Sequence, residues 1–195
     1  NSVRKNGYRT EILDAEAMGF NYQECAERIL EYKARIICFV VYGQQPSASS
    51  QNMEGAVETS KKLKQLYPDI FTLFVGGHLA ALPEETLKAE DSIDAVCQNE
   101  GVYSIGELLR IEKLEDYYLS KVDGLCYRDS FGVIQTNKPS RIVPKANLDD
   151  DLPGVAWDLL PELKNYRTAG WHSWSNESEK QPFAALYTSL GCPYK

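Results

Sequence analysis

Short apolar runs alternate with amphipathic stretches along the sequence up to Glu112, and this alternation restricts the possible folds more than any other feature. Apolar, β-rich runs predict strands, whereas apolar residues three or four positions apart predict helices. The predicted strands cover residues 10–14, 36–42, 71–75 and 93–97. Because crossover helices connect parallel strands, this β-α-β-α order predicts an α/β fold with a doubly wound parallel sheet.

Local signals mark several helix ends. Residues 2–7 are typical of the end of a helix with Gly7 as its C-cap, so we expect the sequence to begin inside its domain, one strand late. Asn21 is a predicted N-cap with Glu24 as its capping-box partner. Pro83 is predicted to open a short helix that has acidic residues in its first turn.

Three predicted loops follow the strands, at residues 43–50, 76–82 and 98–103. A doubly wound sheet binds ligands beyond the carboxyl ends of its strands, so these loops form the candidate site. The residues of the first loop are small or polar, which suits the binding of an anionic or amide-rich ligand at a helix N-terminus. The same residues equally suit a loop that only caps the next helix, with Ser49 or Ser50 as the N-cap.

The other two loops also have a simple structural explanation. The diglycine at residues 76–77 lets a ligand approach the backbone closely, but a plain tight turn uses the same residues. We expect His78 to make a polar contact rather than bind a metal, because no zinc-type spacing accompanies it. The turn at residues 99–101 either brings a carboxylate to the same edge or is simply exposed to solvent.

The second half of the chain follows a different pattern. Residues 124–127 and 133–135 flank a polar turn and predict a hairpin. Residues 138–161 contain four prolines and an acidic triplet, which predicts an extended connector. Residues 183–190 predict a further strand. Because the sequence ends just after this strand, we expect it to be part of a longer protein.

The charge balance excludes some partners. The chain has 21 Lys+Arg against 28 Asp+Glu and a net charge of −7, so we expect no nucleic-acid or anionic-membrane surface, which would need a basic patch. The densest basic cluster, Lys61, Lys62 and Lys64, is interpreted as a solvated helix face. The longest apolar run, residues 36–42, is far shorter than the about 20 residues of a membrane span, so no transmembrane segment is expected.

The five cysteines include no C-x-x-C pair, which predicts reduced thiols in the cytoplasm. Cys38 and Cys97 lie in predicted strands and are interpreted as small core residues. Cys192 lies in a predicted exposed turn, where a thiolate can bind a metal. Neither G-x-G-x-x-G nor G-x-x-x-x-G-K-[ST] is present, which argues against a dinucleotide site or a P-loop.

Five segments carry a resemblance to a known family, and they occur in the family's order. They are residues 42–53 (YGQQPSASSQNM), 76–84 (GGHLAALPE), 99–101 (NEG), 148–160 (LDDDLPGVAWDLL) and 188–195 (TSLGCPYK). With these segments the sequence resembles, over nearly its whole length, the cobalamin-binding N-terminal part of B12-binding domain-containing radical SAM proteins.

The resemblance implies a fold and domain boundaries. The fold would be Rossmann-like (flavodoxin-like), with a doubly wound parallel sheet, a C-terminal connector and the first strand of a truncated radical SAM barrel. Residues 1–120 would form the cobalamin-binding Rossmann-like domain without its first strand. Residues 121–181 would form the hairpin and connector, and residues 182–195 the start of the radical SAM domain.

The resemblance also implies cofactors and the residues that bind them. Cys192 would be the first cysteine of a C-x-x-x-C-x-x-C sequence that binds a [4Fe-4S] cluster, with S-adenosylmethionine on the open iron and the other two cysteines beyond Lys195. The sequence departs from the family at Leu190, where a polar residue is common, and at Asn99, where glycine is common. The three loops would bind cobalamin through Tyr42, Gln44, Pro46, Ser47, Ser49, Gly76, Gly77, His78, Glu100 and Gly101.

The implied function is that of the cobalamin-binding portion of a B12-dependent radical SAM enzyme. Methyl transfer with methylcobalamin and S-adenosylmethionine is the commonest reaction in the family, and the 195 residues alone would be inactive. The alternatives are a non-catalytic module that binds cobalamin or another small ligand, and a flavodoxin-like domain without B12. The expected partners are the small-molecule cofactor and a substrate that the sequence does not name.

Overall fold

The computed structural model of the protein describes residues 1–42, 50 and 52–166, which form five strands and nine α-helices. The strands are β1 (Ile36–Val40), β2 (Phe71–Val75), β3 (Ala95–Cys97), β4 (Leu125–Arg128) and β5 (Ile134–Thr136). The helices are α1 (Ser2–Lys5), α2 (Ala15–Met18), α3 (Tyr22–Glu31), α4 (Met53–Leu66), α5 (Gly77–Ala81), α6 (Pro83–Ala89), α7 (Val102–Arg110), α8 (Asp116–Leu119) and α9 (Leu148–Asp151). Of the helices in these ranges, none is long and apolar enough to cross a bilayer.

The five strands form one sheet in the order β1-β2-β3-β4-β5. β1, β2 and β3 are parallel, with Val40 opposite Val75 and Phe74 opposite Val96. β4 and β5 form the predicted hairpin and continue the same sheet in antiparallel orientation, with Val96 opposite Cys126. The predicted α/β fold is therefore confirmed, and its parallel sheet has an antiparallel extension.

Alternate side chains of the central strands supply apolar cores on both faces of the sheet. On one face, Leu73 of β2 belongs to a buried cluster with Leu108 of α7. On the other face, Phe74 of β2 belongs to a cluster with Leu79 of α5 and Leu87 of α6. Helices cover both faces of such a sheet, so the ends of its strands are the places left for a ligand.

Two helix boundaries predicted from local signals are confirmed. The Asn21 Oδ1 atom accepts a hydrogen bond from the Glu24 N–H at 3.0 Å, and the Glu24 carboxylate accepts one from the Asn21 N–H at 2.8 Å. Pro83 is the first residue of α6. These two boundaries depend on neighbouring residues only, which is why the sequence predicts them. The predicted C-cap of α1 is wrong by one residue, because α1 ends with Asn6 as its C-cap and Gly7, with a φ of +84°, follows it.

Residues 10–14 do not form the predicted strand. In the described ranges no strand pairs with this segment. Its last residue, Asp14, is instead the N-cap of α2, because its side chain accepts a hydrogen bond from the Ala17 N–H at 3.1 Å. An apolar run without a partner strand therefore remains irregular here.

The predicted burial of β1 on both faces is also wrong. β1 ends at Val40, two residues earlier than predicted, and it is the outermost strand of the sheet that the structure describes. Val40 is 67% exposed, and Cys38 is also exposed at this edge of the sheet, although the atoms packed around its thiol raise the pKa of Cys38 to about 12. The interpretation of Cys97 as a core residue is confirmed, because it lies in the central β3 and is fully buried.

Lys64 is not part of a solvated face. Its Nζ atom lies 2.7 Å from Asp94 Oδ2 and donates to the Ile70 carbonyl at 2.6 Å. The same Asp94 oxygen accepts a hydrogen bond from the Thr72 N–H at 2.7 Å. This network joins the end of α4 to the amino ends of β2 and β3, so the basic cluster is solvated only in part.

The predicted extended connector contains α9 and two short 3-10 turns. It packs against α1 through an ion pair of Arg4 with Asp158, at 2.9 Å, and one of Lys5 with Asp150, at 3.1 Å. The end of the predicted hairpin-and-connector segment, 121–181, and the predicted strand 183–190 lie outside the described residues. The boundaries at residues 120 and 181 therefore stay predictions.

Candidate ligand-binding rim

The carboxyl ends of β1, β2 and β3 lie at one edge of the sheet, because the three strands are parallel. We call this edge the rim and define it by residues 41–42, 76–78 and 98–101. The Val41 N–H donates to the Val75 carbonyl at 2.7 Å. The chain segments that leave β1 and β2 are therefore still joined where the first two loops begin.

Gly76 and Gly77 at the end of β2 have different environments. Gly76 is buried, and a Cβ atom added there would lie 2.3 Å from the backbone oxygen of Val41. Gly77 is exposed and begins α5, and an added Cβ would meet nothing within 4 Å. Gly76 thus allows the chain itself to pack closely, whereas Gly77 leaves open space at the rim.

After β3 the chain changes direction at two residues whose backbone is left-handed. Asn99 has a φ of +55° and Gly101 a φ of +73°. A Cβ atom on Gly101 would lie 3.2 Å from the Cβ of Cys97 and 3.3 Å from Cγ2 of Val75. The buried Gly101 therefore fixes how the third segment passes over the ends of β2 and β3, and it leads directly into α7.

Tyr42 and His78 are exposed at the rim, and Gln98, Asn99 and Glu100 are exposed in part. Tyr42 is 46% exposed, and its partial burial together with the negative charge of Glu100 raises the pKa of its phenol. The first and third segments therefore come close enough for these two groups to interact. Within the described residues, no hydrogen bond or ion pair engages the His78 ring or the Glu100 carboxylate.

Asn52 connects the first segment to α4. It is the N-cap residue of α4, so the prediction that Ser49 or Ser50 caps this helix is wrong. The Asn52 side chain makes no capping hydrogen bond and instead donates from Nδ2 to the Tyr42 carbonyl at 2.9 Å. This bond holds the backbone of Tyr42 beside the start of α4.

The structure brings only some of the predicted site residues to the surface of the rim. Tyr42, Gly77, His78 and Glu100 are at least partly accessible there. Gly76 and Gly101 are buried beneath them and shape the backbone. The remaining predicted site residues lie outside the described part of the chain: Gln44, Pro46, Ser47, Ser49 and Cys192.

Sequence reasoning placed Gln98 and Asn99 in a candidate loop and Asn52 in a segment of the family resemblance, but it gave none of the three an individual role. For Asn99 a signal existed, because asparagine tolerates the left-handed backbone that a sharp turn requires. For Asn52 and Gln98 there was no comparable signal, since their partners are backbone carbonyls that only the fold brings near.

The model of the B12 binding domain family matches residues 1–109, which is more than half of the chain. The chain belongs to the B12-binding domain family. The matched range includes β1, β2, β3 and all of the rim. The resemblance expected from the sequence is thereby confirmed for the cobalamin-binding part.

Two kinds of relative are similar to this B12-binding domain. The uncharacterized methyltransferase PH0819 of Pyrococcus horikoshii is 25% identical over 194 residues, which cover 99% of this chain and 37% of that protein. Two solved structures of the cobalamin-dependent S-adenosylmethionine radical enzyme OxsB, one with aqua-cobalamin and S-adenosylmethionine bound and one with aqua-cobalamin, match with a TM-score of 0.54 at 17% and 18% identity. They cover 77% of this chain and 19% of the OxsB chain, and at that identity the match shows the fold alone.

Proposed function

We propose that this B12-binding domain holds cobalamin at the rim. Tyr42, His78 and Glu100 would make the polar contacts, and the ligand would lie over the backbone at Gly77. The observation that carries the proposal is the open space at Gly77, together with the His78 ring and the Glu100 carboxylate, which make no hydrogen bond or ion pair in the described part of the chain. Gly76 and Gly101 would act indirectly, by keeping the three segments close together.

The chemistry of the rim suits a corrinoid. The corrin ring carries many amide groups, and its nucleotide tail carries a phosphate. The Glu100 carboxylate can accept hydrogen bonds from amide N–H groups, and the His78 ring can donate to an amide or phosphate oxygen. The half-exposed Tyr42 offers both an aromatic face and a hydroxyl.

The first loop would complete the site. Gln44, Pro46, Ser47 and Ser49 follow β1 in the sequence, and parallel strands direct such loops to the same edge of the sheet. Small and hydroxyl-bearing residues allow a large ligand to approach the backbone and give it donors and acceptors. We therefore keep these four residues as proposed contacts.

We further propose that the domain works in a cobalamin-dependent radical S-adenosylmethionine enzyme, with methyl transfer as the reaction. The names of two relatives support this proposal: one is an uncharacterized methyltransferase and the other is a cobalamin-dependent S-adenosylmethionine radical enzyme. Bound cobalamin supplies a cobalt centre that can carry a methyl group. The residues of this chain would bind, orient and shield the cofactor. Cys192 would be the first thiolate ligand of a [4Fe-4S] cluster.

Titration of the protein with hydroxocobalamin tests the first proposal, with flavin mononucleotide as the comparison ligand. We expect the visible spectrum of hydroxocobalamin to shift on binding, with saturation at one equivalent, and no binding of the flavin. Binding of the flavin without binding of hydroxocobalamin would instead support a flavodoxin-like domain without B12.

The second proposal requires the full-length enzyme, anaerobically reconstituted with iron, sulfide and cobalamin and supplied with dithionite as the electron donor. We expect reductive cleavage of S-adenosylmethionine to 5′-deoxyadenosine, and loss of this activity together with loss of cluster absorbance in the Cys192→Ala variant. Intact cobalamin binding without cluster or cleavage would contradict the enzymatic proposal and favour a non-catalytic cobalamin-binding module.

A further inference from the structure

A segment far along the chain holds the third part of the rim. We call residues 137–141, which follow β5, the brace. The Asn137 Nδ2 atom donates to the carbonyls of Leu119 and Val122, at 2.8 Å each, and the Asn137 N–H donates to the Leu125 carbonyl at 3.0 Å. The brace is thereby anchored to α8 and β4, which belong to the body of the fold.

The brace in turn accepts hydrogen bonds from the rim. The Gln98 Nε2 atom donates to the Asn137 carbonyl at 3.3 Å, and the Asn99 Nδ2 atom donates to the Ser140 carbonyl at 3.0 Å. Asn99 is separated from Ser140 by 41 residues. Asn99 therefore meets two requirements at once: its backbone is left-handed, and its side chain bonds to the brace.

Gly124 allows the brace to come this close. A Cβ atom on Gly124 would lie 2.6 Å from Oγ of Ser104 and 2.6 Å from the Cβ of Ser140. Its backbone also links the two segments, because the Gln98 N–H donates to the Gly124 carbonyl at 2.8 Å and the Gly124 N–H donates to the Lys138 carbonyl at 2.7 Å.

A second contact holds the start of α7. The Arg141 guanidinium lies over the Tyr103 ring, 4.0 Å from its centroid. The Tyr103 hydroxyl donates to Asp151 Oδ2 at 2.5 Å. The residues on both sides of Glu100 are thus attached to the brace and to α9, whereas the Glu100 carboxylate has no hydrogen-bond partner in the described residues.

We propose that the brace keeps the third rim segment in its ligand-binding shape through Asn99, which is a positioning residue for Glu100. This inference rests on the proposed function, because it assumes that Glu100 contacts cobalamin. Loss of the Asn99 side chain leaves the segment free to sample other shapes, in which Glu100 either misses the cofactor or contacts it in an altered orientation. The population with the wild-type shape falls, and the apparent affinity for cobalamin falls with it.

The Asn99→Gly variant tests the proposal, since glycine accepts the left-handed backbone but lacks the amide that reaches Ser140. We expect hydroxocobalamin to bind about fivefold more weakly, which corresponds to the about 1 kcal/mol of one hydrogen bond. We also expect the visible circular dichroism of the bound cofactor at saturation to change, because the cofactor then binds in an altered orientation. The midpoint of unfolding should stay close to that of the wild type.

Lys33→Gly is the matched control. Lys33 is the other non-glycine residue with positive φ in the described ranges, at +51°, and it lies in the turn before β1. We expect wild-type affinity and circular dichroism for this variant. Arg141→Ala is a second test, which introduces no glycine into the backbone. It should also weaken cobalamin binding, because it removes the contact of Arg141 with Tyr103.

The outcomes separate this inference from the proposed function. Wild-type affinity and circular dichroism in both Asn99→Gly and Arg141→Ala would overturn the inference while cobalamin binding stands. If the wild type binds no hydroxocobalamin, the proposed function fails. Hydrogen exchange of residues 98–101 then decides whether the brace exists: faster exchange in Asn99→Gly than in the wild type supports it, and equal exchange overturns it.

Discussion

Single residues determine how closely the strands approach at the rim. Gly76 packs against the backbone of Val41, and Gly101 packs against Cys97 and Val75. Gly76 has no room for a side chain, and at Gly101 a Cβ atom would be tight on a left-handed backbone, with a φ of +73°. The sequence alone leaves open whether a ligand or the chain itself requires each glycine. The structure assigns the close approach at Gly76 to the chain and the open space at Gly77 to the surface.

The variants Gly76→Ala and Gly77→Ala should therefore differ in stability. An added Cβ at residue 76 would clash with a backbone oxygen, so we expect the free energy of unfolding to fall by about 3 kcal/mol. The same atom at residue 77 meets open space, and we expect a change within about 0.5 kcal/mol. Urea denaturation measures both, and equal stability of the two variants would contradict this account.

Tyr166 should ionise at unusually high pH. Burial and then the hydrogen bond to Asp14 Oδ2, at 2.9 Å, raise the pKa of its phenol to about 12. The neutral phenol is the stabilising form, so its contribution is complete below the ordinary pKa of 10.0 and is lost as the pH rises through about 12.

The difference between near-ultraviolet titrations of the wild type and Tyr166→Phe isolates this group. In Asp14→Asn the pKa should fall but stay above its ordinary value, because burial is the larger cause. A Tyr166 that titrates at the ordinary value in the wild type would show that the contact with Asp14 does not form in solution.

At the scale of elements, local patterns predicted those features that depend on neighbours in sequence. β2, the capping box of α3 and the start of α6 at Pro83 all follow from such patterns. Residues 10–14 failed because a strand also needs a partner strand, which the local pattern does not reveal. For the same reason, the sequence suggested the rim as a site but not the contact of Asn99 with the distant Ser140.

The network around Asp94 should be a major source of stability for the sheet. Asp94 is mostly buried and accepts hydrogen bonds from Lys64 and from the backbone of Thr72. We expect Asp94→Ala to lower the free energy of unfolding by about 2 kcal/mol, because the Lys64 charge and the Thr72 N–H lose their partner. Thermal and urea denaturation report the loss.

Lys61→Met is the control for this network. Lys61 is a lysine of the same helix, and it pairs with Glu58 at 3.1 Å and Glu90 at 3.2 Å on the surface. Solvent screens such pairs, so we expect almost no change in stability. An Asp94→Ala variant as stable as Lys61→Met would contradict the structural role of the network.

At the scale of the whole molecule, carboxylates attach the connector to the sheet domain. Asp150 pairs with Lys5, Asp151 accepts a hydrogen bond from Tyr103, and Asp158 pairs with Arg4. The three acceptors lie within nine positions of one another in the sequence, whereas their partners lie on α1 and α7. The docking of the connector therefore depends on negative charge.

Acid should release the connector. The hydrogen bond from Tyr103 lowers the pKa of Asp151, and the hydrogen bond from Arg4 lowers that of Asp158. Because both values are depressed in the folded state, this stabilisation is present above the ordinary pKa of 3.8 and is lost as the pH falls below it.

Hydrogen exchange of residues 148–160 between pH 6 and pH 3 measures this release. We expect protection to be lost below about pH 4 and the loss to begin at higher pH in Asp158→Asn. Protection that is independent of pH, or unchanged in Asp158→Asn, would show that apolar contacts rather than these carboxylates hold the connector.

The position of cobalamin on the rim is the central claim, and hydroxocobalamin affinity in the matched variants Gly77→Val and Gly106→Val tests it most directly. Gly77 borders open space at the rim, whereas Gly106 lies in the middle of α7, where an added Cβ meets only the end of the flexible Arg110 side chain at 3.8 Å. We predict that Gly77→Val binds at least about tenfold more weakly, a loss of about 1.4 kcal/mol, and that Gly106→Val binds like the wild type. Wild-type affinity in a folded Gly77→Val variant would contradict the claim.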